Sequence, residues 1–139
     1  MRTLEPASRD AIRRSFAPIH AQREAFAKQF YARLFALAPE LRHYFPNDIE
    51  QQRRKFIDML VVAVDAVDAP EAITPLLEEL GMRHATYGTR PAHYVVLMEA
   101  LVETLRASCG KDFDEATERA WRSLLAALAG AMLRGAGEA

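Results

Sequence analysis

Apolar residues in this chain return at three- and four-residue steps, in stretches bounded by proline or glycine, and that spacing confines it to helices. Between Arg23 and Leu37 the apolar positions are Phe26, Phe30, Leu34 and Leu37, and Pro39 stops the run. Phe56, Met59, Leu60, Ala63, Val64 and Val67 form a second stripe, and Tyr94, Leu97, Met98, Leu101, Val102 and Leu105 a third. Trp121, Leu124, Leu125, Leu128 and Met132 make a fourth near the end, and Ile12, Phe16 and Ile19 a short one at the start. Nowhere does a sustained alternating run ask for a strand. The expected fold class is all-α.

The breaks between stripes carry start and stop signals. Ser8 is the expected cap of the first helix, Asn47 with Glu50 reads as a capping box, and Asp68 with Glu71 repeats that pattern. Pro75 and Gly81 predict a short or irregular helix before the break at Gly88 to Pro91. Pro91 suits a first helical turn, Cys109-Gly110 ends that helix, and Asp112 with Glu115 opens the last.

At 139 residues, with no internal repeat and no linker-like stretch, residues 1–139 read as one domain. Eighteen basic residues against nineteen acidic give a net charge of −1, which offers no excess to bind phosphates, so nucleic acid is not an expected partner. The opening MRTLEPASRDAIRR is charged where a secretion signal is apolar, and the run Met59 to Val64 is too short to span a bilayer. A cytoplasmic protein with no membrane contact is expected. Cys109 is the single cysteine and has no internal disulfide partner.

Motifs for chemistry are few. There is no glycine-rich phosphate loop, no His-Glu-x-x-His, no paired cysteines for zinc, and no Gly-x-Ser-x-Gly elbow. The remaining candidates are His20, His43, His84 and His93. His84 stands apart by its place at the end of a helix, just before Tyr87-Gly88, between two apolar-striped helices. A neutral imidazole there can offer one ring nitrogen to a metal while the other donates to a carbonyl.

Several short motifs run in a fixed order: Phe-Tyr-x-x-Leu-Phe at 30–35, Ala-Pro-Glu-Leu at 38–41, Phe45, and Gln-x-x-Lys-Phe at 52–56. Leu-Gly-x-Arg-His at 80–84, His-Tyr at 93–94 and Ala-Trp at 120–121 follow. Phe45 falls six residues after Pro39, and Tyr94 ten after His84. In these motifs and spacings, from about Phe26 to Met132, the chain resembles bacterial single-domain globins of the Vitreoscilla type and the globin part of flavohaemoglobins.

The resemblance implies a three-over-three globin fold around non-covalent haem b, since a lone cysteine cannot supply a Cys-x-x-Cys-His attachment. His84 matches the proximal histidine that ligates the iron. Phe45 matches the aromatic packed on the porphyrin, Lys55 a basic residue that reaches a propionate, and Phe56 the bulky wall over the iron. Simple core packing for Phe45 and a solvated charge for Lys55 are the alternatives. Tyr31 matches the distal tyrosine that donates to bound ligand, against a helix tyrosine reaching solvent. Gln52 matches the distal residue, with Gln51 as the alternative because the stretch after Phe45 is one residue shorter than in flavohaemoglobins. Tyr94 matches a proximal-side tyrosine. The glutamate that these relatives pair with it is missing: its place falls on Ala136, with Glu138 two residues on. Without that carboxylate His84 is expected to donate electrons less strongly.

The implied function is reversible binding of dioxygen, and of nitric oxide and carbon monoxide, as an oxygen-binding or oxygen-transport protein. One alternative is nitric oxide dioxygenation. Flavohaemoglobins continue into flavin- and NADH-binding domains that do not follow before Ala139, so that activity is expected to need a separate reductase. A haem-based gas or redox sensor is another alternative. Whether the protein is an enzyme, and whether it is a monomer or a homodimer, stays open at this level.

Overall fold

The computed structural model describes residues 4–138. The ends of the expected domain, 1–3 and 139, lie outside the described residues. Among the described residues there are six α-helices: α1 (Pro6–Ala21), α2 (Arg23–Leu37), α3 (Glu50–Asp65), α4 (Thr74–Thr86), α5 (Pro91–Cys109) and α6 (Glu115–Gly135). Short 3-10 turns at Pro39–Tyr44, Pro70–Ala72 and Gly110–Asp112 join them, and no strand occurs among the described residues. Helices α1 and α4 each pack on α6, α2 packs on both α3 and α5, and α5 also meets α6.

The expected stripes are the buried faces. Ile12, Phe16 and Ile19 of α1 join Phe26, Phe30 and Leu34 of α2 and Trp121, Leu124 and Leu125 of α6 in one core. Leu37 is the exception and is exposed. A polar tie crosses this core: the Trp121 indole N–H donates to the Ser15 hydroxyl at 2.8 Å, and that hydroxyl donates in turn to the Ala11 carbonyl at 2.7 Å. Both side chains are buried, so each satisfies a group that would otherwise be stranded.

Helix bodies match expectation and several caps do not. Ser8 does not cap α1, which starts at Pro6 after Glu5. Proline in the first turn removes one of the unpaired amides and presets φ for the helix, which lets α1 start before Ser8. Asn47 and Glu50 form no capping box. Glu50 is itself the first residue of α3, and the Asp48 carboxylate accepts from its backbone N–H at 3.0 Å. Asp68 is taken by tertiary contacts, pairing with Arg13 and Arg9 of α1 rather than capping a helix. The α6 cap is Asp114 and not Asp112: its carboxylate accepts from the Thr117 N–H at 2.8 Å, which holds its pKa below the usual carboxylate range. As expected α4 is short, at 13 residues, and it is not irregular. Pro75 lies in its first turn, and α4 runs unbroken through Gly81. Its end is sharp because Gly88 takes φ of 93°, in the left-handed region.

Candidate functional site

The densest aromatic grouping gathers around Tyr31. Residues Phe30, Tyr31 and Leu34 fall on the inner face of α2 by helical period, and Tyr31 is 4% exposed. Its ring centroid lies 5.0 Å from that of Phe30, 5.7 Å from Phe45, 5.7 Å from Phe56 and 5.9 Å from Phe35. Phe56 lies parallel to Phe30, with centroids 4.3 Å apart and planes 6° apart. Such an enclosure strips water from the phenol, and burial pushes the Tyr31 pKa up to about 12.

One polar group enters this enclosure. The Gln52 amide, one turn before Phe56 on α3, donates to the Tyr31 hydroxyl oxygen at 3.2 Å. Gln51 is exposed, so of the two glutamines it is Gln52 that faces Tyr31. Lys55 is exposed and makes no ion pair among the described residues, so its charge is solvated.

Phe45 follows the 3-10 turn, and its segment is held by a residue that carries no signal in the sequence. The Arg42 guanidinium donates to the Pro46 and Asn47 carbonyls, each at 2.8 Å, and to that of Phe45 at 3.3 Å. It also lies over the Phe35 ring, 5.3 Å from the centroid. Nothing in the string Pro-Glu-Leu-Arg announces that clamp, because its acceptors are backbone.

His84 stands in the last turn of α4, partly buried. Its Nδ1 lies 2.8 Å from the Leu80 carbonyl oxygen. A carbonyl only accepts, so Nδ1 carries the proton, and a neutral ring then presents a bare lone pair at Nε2. Helix α4 rests on α6 and the Pro70–Ala72 turn and has no substantial packing on α2 or α3, which carry Tyr31 and Gln52.

Tyr94 is buried on α5, and burial raises its pKa. Glu138 is exposed beyond α6, and its backbone N–H donates to the Leu133 carbonyl at 2.8 Å. Among the described residues no side-chain hydrogen bond or ion pair joins Glu138 to His84 or Tyr94. His93 serves the start of α5, where its Nδ1 accepts from the Arg90 backbone N–H at 2.9 Å. Thus Tyr31, Gln52, Phe45 and Phe56 meet in one cluster, while His84 on α4 and Tyr94 on α5 stand apart from it, and Lys55, though on α3 with Gln52 and Phe56, is exposed.

The globin family model matches residues 28–132, more than half of the chain. The chain belongs to the globin family. That makes it a haem-binding protein of a family that binds diatomic gases, and its all-α architecture is a globin fold. It is similar to the flavohemoprotein of Bordetella parapertussis, with 28% identity over 130 residues, 91% of this globin and 32% of that relative. The flavohemoprotein of Rhizobium meliloti is 30% identical over 115 residues, 79% of this globin and 28% of the relative. That of Vibrio cholerae is 28% identical over 100 residues, 70% and 25% of the two chains. The chain therefore spans about a third or less of the length of these curated relatives.

The donor chemistry of His84 is compatible with a haem: with Nδ1 committed to the Leu80 carbonyl, Nε2 is the ring nitrogen that could hold an iron. Among the described residues no group of three or more His, Cys, Asp or Glu side chains is placed to hold a metal ion unaided, and none of the helices is long and apolar enough to cross a membrane.

Proposed function

We propose that this globin, a single domain over residues 1–139, holds haem b through His84 and binds dioxygen reversibly, with Tyr31 and Gln52 as the distal pair. The hydrogen bond from Gln52 to the buried Tyr31 phenol carries this reading. The haem, when bound, supplies the iron that takes the diatomic ligand. The chain supplies everything that tunes it.

Gln52 gives its amide proton to the Tyr31 oxygen, so the Tyr31 proton is not spent on Gln52. With a pKa pushed up to about 12, Tyr31 keeps that proton throughout the physiological range. A protonated phenol with an unspent donor, enclosed by Phe30, Phe35, Phe45 and Phe56, favours a ligand with partial negative charge. The surrounding rings exclude water that would compete for the same donor.

On the other side, His84 donates to a neutral carbonyl and not to a carboxylate. Its imidazole then keeps little imidazolate character, which favours holding a ligand over cleaving it. Phe45 and Phe56 are assigned to the haem walls, Tyr94 to the proximal side and Lys55 to a propionate.

Absorption spectra of the purified chain with haem b test the assignment. A Soret band is expected, with the five-coordinate ferrous spectrum lost in His84→Gly and restored by added imidazole. No Soret band after reconstitution overturns it.

A second reading is nitric oxide dioxygenation with a separate reductase, favoured by the flavohemoprotein relatives and served by the same distal pair. Nitric oxide consumption over many cycles, with and without a flavin reductase, distinguishes it from simple binding. The cell compartment proposed for either role is the cytoplasm.

A further inference from the structure

Helix α4 takes its support from α6, and the two backbones meet at two glycines. A Cβ on Gly81, in the body of α4, would fall on the Met132 carbonyl of α6. A Cβ on Gly135, the last residue of α6, would fall on the Glu78 carbonyl of α4. The two contacts are reciprocal, each helix placing a glycine against the backbone of the other. Arg134 and Glu78 add a charged pair at the same joint, 4.0 Å apart. Glycine is disfavoured in a helix body relative to alanine, so its presence where no other residue fits marks a close approach.

The joint is continuous with the histidine. The carbonyl that accepts from His84 Nδ1 belongs to Leu80, in the peptide unit that leads directly into Gly81. That peptide unit is planar and rigid. A displacement of Gly81 from Met132 therefore swings the Leu80 carbonyl, and with it the ring it orients. Gly130 supplies the contrast within α6, because a Cβ there would meet only the flexible end of Arg134, at 3.5 Å.

We propose that Gly81 and Gly135 are positioning residues, whose backbone contact between α4 and α6 sets the height and ring orientation of His84 toward the haem. The inference rests on the reading of His84 as the haem ligand. It reaches further than that reading because it assigns control of the ligand to a backbone joint between α4 and α6.

Gly81→Ala, Gly135→Ala and Gly130→Ala variants, loaded with haem b, test it. Three measurements are compared with wild type: far-UV helix content, the rate of haem loss to an excess of an apoglobin acceptor, and the iron–histidine stretching band of the ferrous form. Gly81→Ala and Gly135→Ala are expected to keep their helices, lose haem at least tenfold faster and shift the iron–histidine band. Gly130→Ala is expected to match wild type in all three. A helical Gly81→Ala or Gly135→Ala variant with the wild-type band and haem-loss rate overturns the proposal. So does a loss of helix content in both, which assigns the glycines to general stability. A wild-type protein lacking any iron–histidine band, by contrast, refutes the His84 reading on which the proposal stands.

Discussion

The Gln52 amide donates to the Tyr31 hydroxyl oxygen across 3.2 Å, between α3 and α2, and so leaves the phenolic proton available to a third group. In the oxygen-binding reading that third group is the ligand. A hydrogen bond to a partly charged acceptor contributes roughly 1–3 kcal/mol. Tyr31→Phe should therefore speed oxygen release by about five- to 150-fold, measured by stopped-flow displacement with carbon monoxide. An unchanged release rate sinks the distal role of Tyr31.

The two neighbouring glutamines should behave differently. Gln52 reaches Tyr31, whereas Gln51 is exposed on the same helix. Gln52→Leu takes a donor from the Tyr31 oxygen and lets the phenol reorient, so ligand release should change severalfold. Gln51→Leu should leave it at the wild-type rate, since its exposed side chain does not reach Tyr31. Equal effects from the two would remove the special place given to Gln52.

What could be read from the sequence divides along a physical line. The stripe of Phe26, Phe30 and Leu34 was legible because burial repeats with the helical period, and the same logic located the bodies of α3, α5 and α6. Caps were not. Asp68 has the chemistry of a cap, yet arginines from α1, more than fifty residues away, claim its carboxylate. Asp114 displaced Asp112 because the helix start depends on backbone dihedral angles that residue types alone do not reveal.

The site divides in the same way. Tyr31, Phe45, Gln52 and Phe56 were legible as members of ordered motifs, and the fold brings them into one cluster. Arg42 was invisible because it acts on backbone carbonyls, which every residue possesses. Gly81 and Gly135 have the look of helix defects for the same reason. Their function is a close approach between chain segments, and only the tertiary structure contains it.

Tyr31 also makes stability depend on pH. Its pKa is pushed up to about 12 in the folded protein by burial, against about 10 in the unfolded chain. The folded state thus holds this proton more tightly. The resulting stabilisation is fully present below pH 10 and is lost as the pH rises through 12. Two pKa units correspond to roughly 3 kcal/mol. At pH 12 the folded-state phenol is still about half protonated, so urea unfolding of wild type and Tyr31→Phe at pH 9 and pH 12 should show wild type losing about 2 kcal/mol more than the variant. Tyr94, also raised by burial, is common to both proteins and cancels in the difference. Parallel loss in the two proteins would show that Tyr31 is not shielded.

The Ser15–Trp121 tie makes a prediction independent of haem. Trp121 is fully buried, and its indole N–H has the Ser15 hydroxyl as acceptor at 2.8 Å. Ser15→Ala removes the acceptor and leaves the N–H stranded in the core, at a cost of about 1–3 kcal/mol. The Cys109 thiol, 3.7 Å from the Ser15 backbone carbonyl, keeps its acceptor in that variant. Trp121→Phe removes the donor as well, and its loss of packing has a separate cost. Adding Ser15→Ala to Trp121→Phe should then destabilise far less than Ser15→Ala does alone, because no buried donor remains to be stranded. Urea unfolding of the two single variants and the double variant measures that coupling, with Trp121 fluorescence following the Ser15→Ala change. A coupling energy near zero would mean that the hydrogen bond contributes nothing, and that α1 is held on α6 by apolar packing alone.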